Sequence, residues 1–248
     1  MKIIADTNIW YNLAQDKDPF SKVSEIQICP NHINIIELCK TDNVIKREEL
    51  VREVIRAIFH YKNNVIYEPP FIHIAQLIHK DLEYDVVKEM GTYLEFTSSF
   101  AKGQKIEQNK REDFLDWVNL KNERFEKSTA FFNEHIKLIS ENVELKKQKK
   151  NLNTIPVTAD FINLIIKTVT DEKYDMHELN LNEIELLLKS MDAFFKKVET
   201  SDMKIKPHDW NDMAVLGYVR PGDKYWTTDR TWINLIKEAG CQHYLYNM

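Results

Sequence analysis

Apolar and polar positions alternate quickly at both ends of the chain and slowly through its middle. "KIIAD" is a short all-apolar run closed by Asp6, which predicts a buried strand, and "TNIWYNLA" reads as the start of a helix. "EIQICP", Glu25 to Pro30, predicts a second strand stopped by its proline. Asn31 then stands where a helix cap belongs, and in "HINIIELCK" Ile33, Ile36 and Glu37 share one helical face.

From about residue 46 to residue 200 the period is helical. Leu50, Val51, Val54, Ile55, Ile58 and Phe59 recur at helix spacing, as do Phe114, Trp117, Val118, Phe125, Phe132, Ile136 and Ile139. "LNEIELLLKSMDAFFKKV" repeats the pattern after Asn180. The tail then returns to short elements. "PHDWNDMAVLGYV" opens with Pro207 and an acidic first turn, as a helix does. "RPGDKYWTTD" predicts a turn and an aromatic strand, "RTWINLIKEAG" a helix closed by Gly240, and "CQHYLYN" a last strand. Alternation of this kind predicts an α/β protein with a parallel sheet and helices on both faces.

Composition narrows the chemistry. The 248 residues carry a net charge of −5, which argues against holding nucleic acid by bulk charge alone. The chain has only 5 glycines, none between Gly103 and Gly217, which excludes a phosphate-binding P-loop and a dinucleotide fingerprint. The 8 histidines show no HExxH and no zinc-finger pairing. Cys29, Cys39 and Cys241 have no CxxC spacing and read as buried thiols of a reducing, cytoplasmic compartment. No apolar run approaches the roughly 20 residues of a membrane span. Residues 101–150 hold 12 Lys and Arg against 9 Asp and Glu, and their densest basic run is Lys146, Lys147, Lys149 and Lys150. That run is the candidate nucleic-acid contact, set against an ordinary solvated helix face.

In an open parallel sheet, functional groups gather at the carboxyl ends of the strands. Asp6 and Asp229 end predicted strands, and Glu37 and Asp212 sit on helices whose apolar neighbours face the sheet. Four carboxylates in one place repel one another, so they stay ionised together only around a cation. Oxygen ligands favour Mg²⁺ or Mn²⁺, and such an ion suits phosphodiester hydrolysis by an activated water. Each residue has a plainer role available. Asp6 could cap the first helix, and Glu37 could pair with a buried base. Asp209, one turn before Asp212, could replace it or assist it, and His208 could contact phosphate or simply be solvated.

"IIADTNIWYNL", "NIIEL", "NDMAVLGYV" and "YWTTDRTW" resemble the four acidic motifs of the PIN domain, a metal-dependent nuclease family. The resemblance covers residues 1–45 and 205–248. It implies a PIN-like three-layer α/β core with a central, mainly parallel sheet, and Asp6, Glu37, Asp212 and Asp229 as its catalytic Mg²⁺ or Mn²⁺ ligands. It also implies Thr7, Asn8 and Thr228 as supporting polar groups. Glu37 and Asp212 stand 175 positions apart, much further than in compact PIN domains, so residues 46–204 are expected to form a helical expansion or inserted subdomain.

The implied activity is an endoribonuclease acting on RNA, with single-stranded DNA a second substrate to test. Toxin–antitoxin and phage-defence settings, with an antitoxin or another protein partner, fit that family. The alternative is a non-catalytic RNA- or protein-binding module on the same scaffold. A haloacid-dehalogenase-type phosphatase would want an Asp two positions after Asp6, where this chain has Asn8.

Overall fold

The computed structural model describes residues 1–15, 27–174 and 179–246. Glu25 and Ile26 of the expected second strand, and the side chains of Phe125 and Ile139, lie outside the described residues. In chain order the elements are β1 (Ile3–Ala5), α1 (Thr7–Gln15), β2 (Ile28–Cys29), α2 (His32–Cys39), α3 (Asn43–Lys46), α4 (Glu48–His60), α5 (Pro70–Ala75) and α6 (Val86–Ala101). Then follow α7 (Arg111–Ser140), α8 (Val143–Asn151), α9 (Ile155–Val169), α10 (Glu185–Thr200), α11 (Asp209–Val215), β3 (Lys224–Trp226) and α12 (Arg230–Glu238). The fold is mixed α/β and mostly helical.

The sheet is small and wholly parallel, in the order β2-β1-β3. Ile4 lies beside Cys29 on one side and Tyr225 on the other. β1 carries no polar residue because both of its faces are covered. Strand alternation divides its side chains. Ile4, Cys29 and Tyr225 join a core with residues of α9, α10, α11 and α12. Ile3, Ala5, Ile28 and Trp226 join a second core with α1 and α4. The pattern Val51, Val54, Ile55, Ile58 is the buried face of α4 against α1.

α10 is the axle of the larger core. It packs on α7, α8 and α9 and also on α11 and α12, so Leu186, Leu187, Leu188, Met191, Phe194 and Val198 are all buried. Phe194 stacks on Trp232 of α12 with ring centres 5.5 Å apart. Helices of the segment 46–204 thus cover both faces of the sheet, and the core runs without a break from that segment into the two ends. Cys29, Cys39 and Cys241 are buried and unpaired. Among the described residues, no helix is long and apolar enough to cross a membrane.

One element differs from expectation. The predicted last strand is a 3₁₀ turn, Gln242–Tyr244, followed by a single parallel bridge from Leu245 to Tyr225. The backbone of Cys241 closes onto Ile236, which turns Cys241 and Tyr244 into the core before the chain reaches the sheet edge. Only the Tyr246 N–H then reaches Tyr225, at 2.8 Å.

Candidate functional site

The carboxyl edge of the sheet collects the acidic residues. The Asp6 N–H extends the ladder to the Trp226 carbonyl at 2.9 Å, which holds the Asp6 backbone at the strand end. Its side chain is buried. Oδ1 accepts the Thr7 N–H at 2.6 Å, and Oδ2 accepts the Asn8 amide at 2.8 Å and the Thr227 hydroxyl at 2.7 Å. A helix cap would take the N–H two or three residues on, so Asp6 is not serving as one. That role belongs to Asp229, whose Oδ1 accepts the N–H groups of Thr231 at 2.7 Å and Trp232 at 3.3 Å.

Thr228, expected to support the site through its side chain, is exposed and offers only its backbone N–H to Asn8 Oδ1, at 3.5 Å. The supporting hydroxyl is that of Thr227. It is buried, donates to Asp6 and accepts the Asp229 N–H at 3.0 Å, so it ties the two acidic residues together. β3 ends at Trp226, and the next residue still follows the inward alternation.

α2 delivers Glu37. Asn31 caps the helix as expected, in a reciprocal box in which Asn34 takes the place of the usual Glu or Gln. Glu37 Oε2 accepts the Thr7 hydroxyl, and Oε1 accepts the Asn211 amide at 2.9 Å. Asn34, three residues before Glu37, is fully buried. Its oxygen accepts the Trp10 indole at 3.2 Å and the Asn31 N–H at 2.9 Å, and its amide donates to Thr7 at 3.0 Å. Asn34→Ala should orphan two buried N–H groups and cost about 2–4 kcal/mol in urea unfolding. A loss under about 0.5 kcal/mol would mean that this network does not hold α1 to α2.

Asp212 Oδ2 accepts the Trp232 indole at 3.0 Å. Burial pushes the Asp212 carboxyl up to about 8, and the charges of Asp6 and Glu37 push the same way. Burial also raises Asp6, with the Asp229 charge adding to it, and burial raises Glu37. No Lys or Arg makes an ion pair with Asp6, Glu37, Asp212 or Asp229 among the described residues. Tyr225, fully buried on β3, has a hydroxyl with no hydrogen-bond partner, and it feels the charges of Asp6 and Asp212.

The tightest group of potential ligands is His208, Asp209 and Asp212, whose donor atoms all lie within 4.8 Å of one another. Asp209 is buried and also accepts the Lys206 N–H at 2.7 Å, so one of its oxygens closes the turn into α11. His208 is exposed at the lip. A cleft of about 500 Å³ opens beside the acidic group, with Glu37, Asn211 and His208 in its wall.

The structure does not bring the basic run to this place. Lys146, Lys147, Lys149 and Lys150 lie on α8, which packs on α7 and α10, and none lines the cleft. Lys149 pairs with Glu199 at 3.0 Å and Lys147 approaches Glu144 at 3.7 Å, so two of the four are balanced locally.

No protein-family model, curated protein or solved structure matches the chain. The case for function therefore rests on the arrangement itself. Asn34, Asn211, Thr227 and Tyr225 were not singled out from the sequence. They are neutral, and a search for charged motifs passes over them.

Proposed function

We propose that this protein is a Mg²⁺- or Mn²⁺-dependent endoribonuclease with a PIN-like core, hydrolysing phosphodiester bonds at the acidic edge of its sheet. The observation that carries the reading is the set of buried or partly buried carboxylates, Asp6, Glu37 and Asp212, with no Lys or Arg ion-paired to them among the described residues. A protein does not keep such charges together unless a cation or a proton compensates them. The carboxylate oxygens of the acidic edge suit a hard divalent ion, while the donors set closest together, those of His208, Asp209 and Asp212, include one imidazole. Mg²⁺ also keeps several waters, so it needs direct bonds to only one or two carboxylates while the others act at longer range. The buried Tyr225 hydroxyl, which feels the charges of Asp6 and Asp212, has no geometric hydrogen-bond partner among the described residues, Thr227 being a polar neighbour.

When bound, the ion would neutralise charge on phosphate oxygens and make a water acidic. The chain's own residues do the rest. Asp6, Glu37, Asp212 and Asp229 would hold the ion, directly or through its waters. Thr7, Asn8 and Thr227 fix the two carboxylates that they bond. His208 at the lip meets the substrate phosphate. Asp209 stands beside Asp212 as an auxiliary ligand.

The direct test incubates the purified protein with total RNA and with single-stranded DNA, in Mn²⁺ and in chelator. Cleavage of RNA in Mn²⁺, abolished by chelator, is the expected result. Binding without cleavage in either ion would replace the nuclease with a binding module on the same scaffold.

A further inference from the structure

The cleft beside the acidic group has a third wall that belongs to neither end of the chain. α7, 30 residues long, supplies Val118, Asn119, Asn122 and Glu126 to it. These positions follow helix spacing and so form one stripe. Val118 is buried at the base, while Asn119 and Asn122 are exposed, and neither asparagine side chain has a hydrogen-bond partner among the described residues.

The stripe is held in place from below. Thr129 accepts the Trp210 indole of α11 at 3.1 Å. One turn further, the Asn133 amide exchanges two bonds of 2.9 Å with the backbone of Ile205. Both anchors join α7 to the segment that carries Asp209, Asn211 and Asp212. The two free amides are therefore fixed relative to the acidic edge rather than carried on a loose arm.

The chemistry of the walls differs. The α2 and α11 sides line the cleft with Lys40 and the His208 imidazole together with Glu37. Among the described side chains, the α7 side brings Glu126 and no cation. It presents neutral amides, each with a donor and an acceptor on one planar group. A phosphate only accepts hydrogen bonds and is met by cations or by any donor, whereas a base edge carries donors and acceptors side by side, and an amide matches both at once. At about 500 Å³ the cleft has the size of a small-molecule site, which admits an unstacked nucleotide.

We propose that Asn119 and Asn122 read a nucleobase of single-stranded RNA lying across this cleft, and so are specificity-determining residues that choose where the strand is cut. The inference rests on the nuclease reading for its consequence, the cut, but not for the recognition itself.

The experiment uses the full chain, wild type and the Asn119→Ala, Asn122→Ala double variant, with a single-stranded RNA pool randomised over eight positions. One arm sequences the products of cleavage in Mn²⁺. The other sequences the RNA retained by the protein in Ca²⁺. Both asparagines are exposed on a helix, where alanine is the better helix former, so the variant folds, and a melting curve verifies it. Wild type is expected to prefer one base at a position beside the cut by about tenfold, and the variant to lose most of that preference. Its cleavage of the best wild-type sequence at saturation should stay within about threefold.

Cleavage with the same base preference in both proteins overturns the inference and leaves the nuclease standing. Base-selective retention that the variant loses, with no cleavage by wild type, upholds the inference and removes the nuclease. An absence of base preference in wild type in both arms overturns the inference whatever the activity.

Discussion

Asp6→Asn, Asp212→Asn and Asp229→Asn are each expected to lower RNA cleavage by at least about 100-fold while the protein stays folded. Asparagine keeps the shape and one acceptor oxygen of each side chain but not the charge a divalent ion requires; at Asp6, where both oxygens accept, it also gives up one accepting position. Loss of groups one layer outside a metal site already costs about 10- to 100-fold, so loss of a ligand should cost no less. Asp229 makes the sharpest comparison. It caps α12 through Oδ1, and asparagine is as good a cap as aspartate. If Asp229 served only the helix, Asp229→Asn would cleave RNA as wild type does. Asp209→Asn should cost less than Asp212→Asn, because Asp212 feels the charges of both Asp6 and Glu37 and Asp209 feels that of Asp229. Single-turnover rates with circular dichroism on each variant decide both points. Wild-type rates for Asp6→Asn and Asp212→Asn would remove the acidic edge from the chemistry.

The second large effect is on stability, and it changes sign with metal. In chelator, the Asp212 carboxyl titrates near 8 in the folded protein, far above the roughly 3.9 of a free aspartate. Between those values the folded state binds the extra proton, so stability must fall as pH rises from about 4 to 8. Asp6 and Glu37 are raised too, and act in the same direction. The metal-free protein should therefore melt lower at pH 8 than at pH 5.5, and Asp212→Asn should flatten that slope and melt higher than wild type at pH 8. Mn²⁺ reverses the ranking, because it binds the ionised, folded site. At about 100 times its dissociation constant it should add roughly 2.7 kcal/mol, or about 5–10 °C for a chain of this size. The gain should shrink toward pH 5.5 as protons compete, and Asp6→Asn should show little of it. Melting curves at the two pH values, with chelator and with Mn²⁺, test every part. Equal Mn²⁺ gains in wild type and Asp6→Asn would mean that the ion binds elsewhere.

The parts of this arrangement legible in the sequence were those with a local signal. An all-apolar run ending in Asp6 marks a buried strand and the polar group at its end. Asn31 before an amphipathic run marks a cap. The dense apolar repeat after Asn180 marks α10, although periodicity alone did not show that it would be wrapped on all sides. What stayed hidden was set by distance or by one-residue phase. Thr227 and Thr228 are both threonines after a strand, and only the register of β3 against β1 decides which hydroxyl turns inward. Asn34 and Asn211 look like ordinary helix residues until α1, α2 and α11 meet. The cleft depends on α7 reaching α11 through Trp210 and Ile205, contacts that no window of sequence contains. The expected last strand failed for a related reason: its residues carry strand propensity, but the core claims Cys241 and Tyr244 first.

The order of the strands has a consequence for the making of the protein. β1 is the central strand and is translated before both of its partners, yet one of them, β3, follows far behind it, and the Thr227–Asp6 bond spans 221 positions. Until the ribosome has passed Asp229, Asp6 has neither Thr227 to orient it nor a fourth carboxylate beside it. Every nascent chain and every product of premature termination before that residue lacks an assembled site. If the protein cuts RNA, it is harmless to its own message and to the ribosome until β3 has been made, with the strand order acting as a timer.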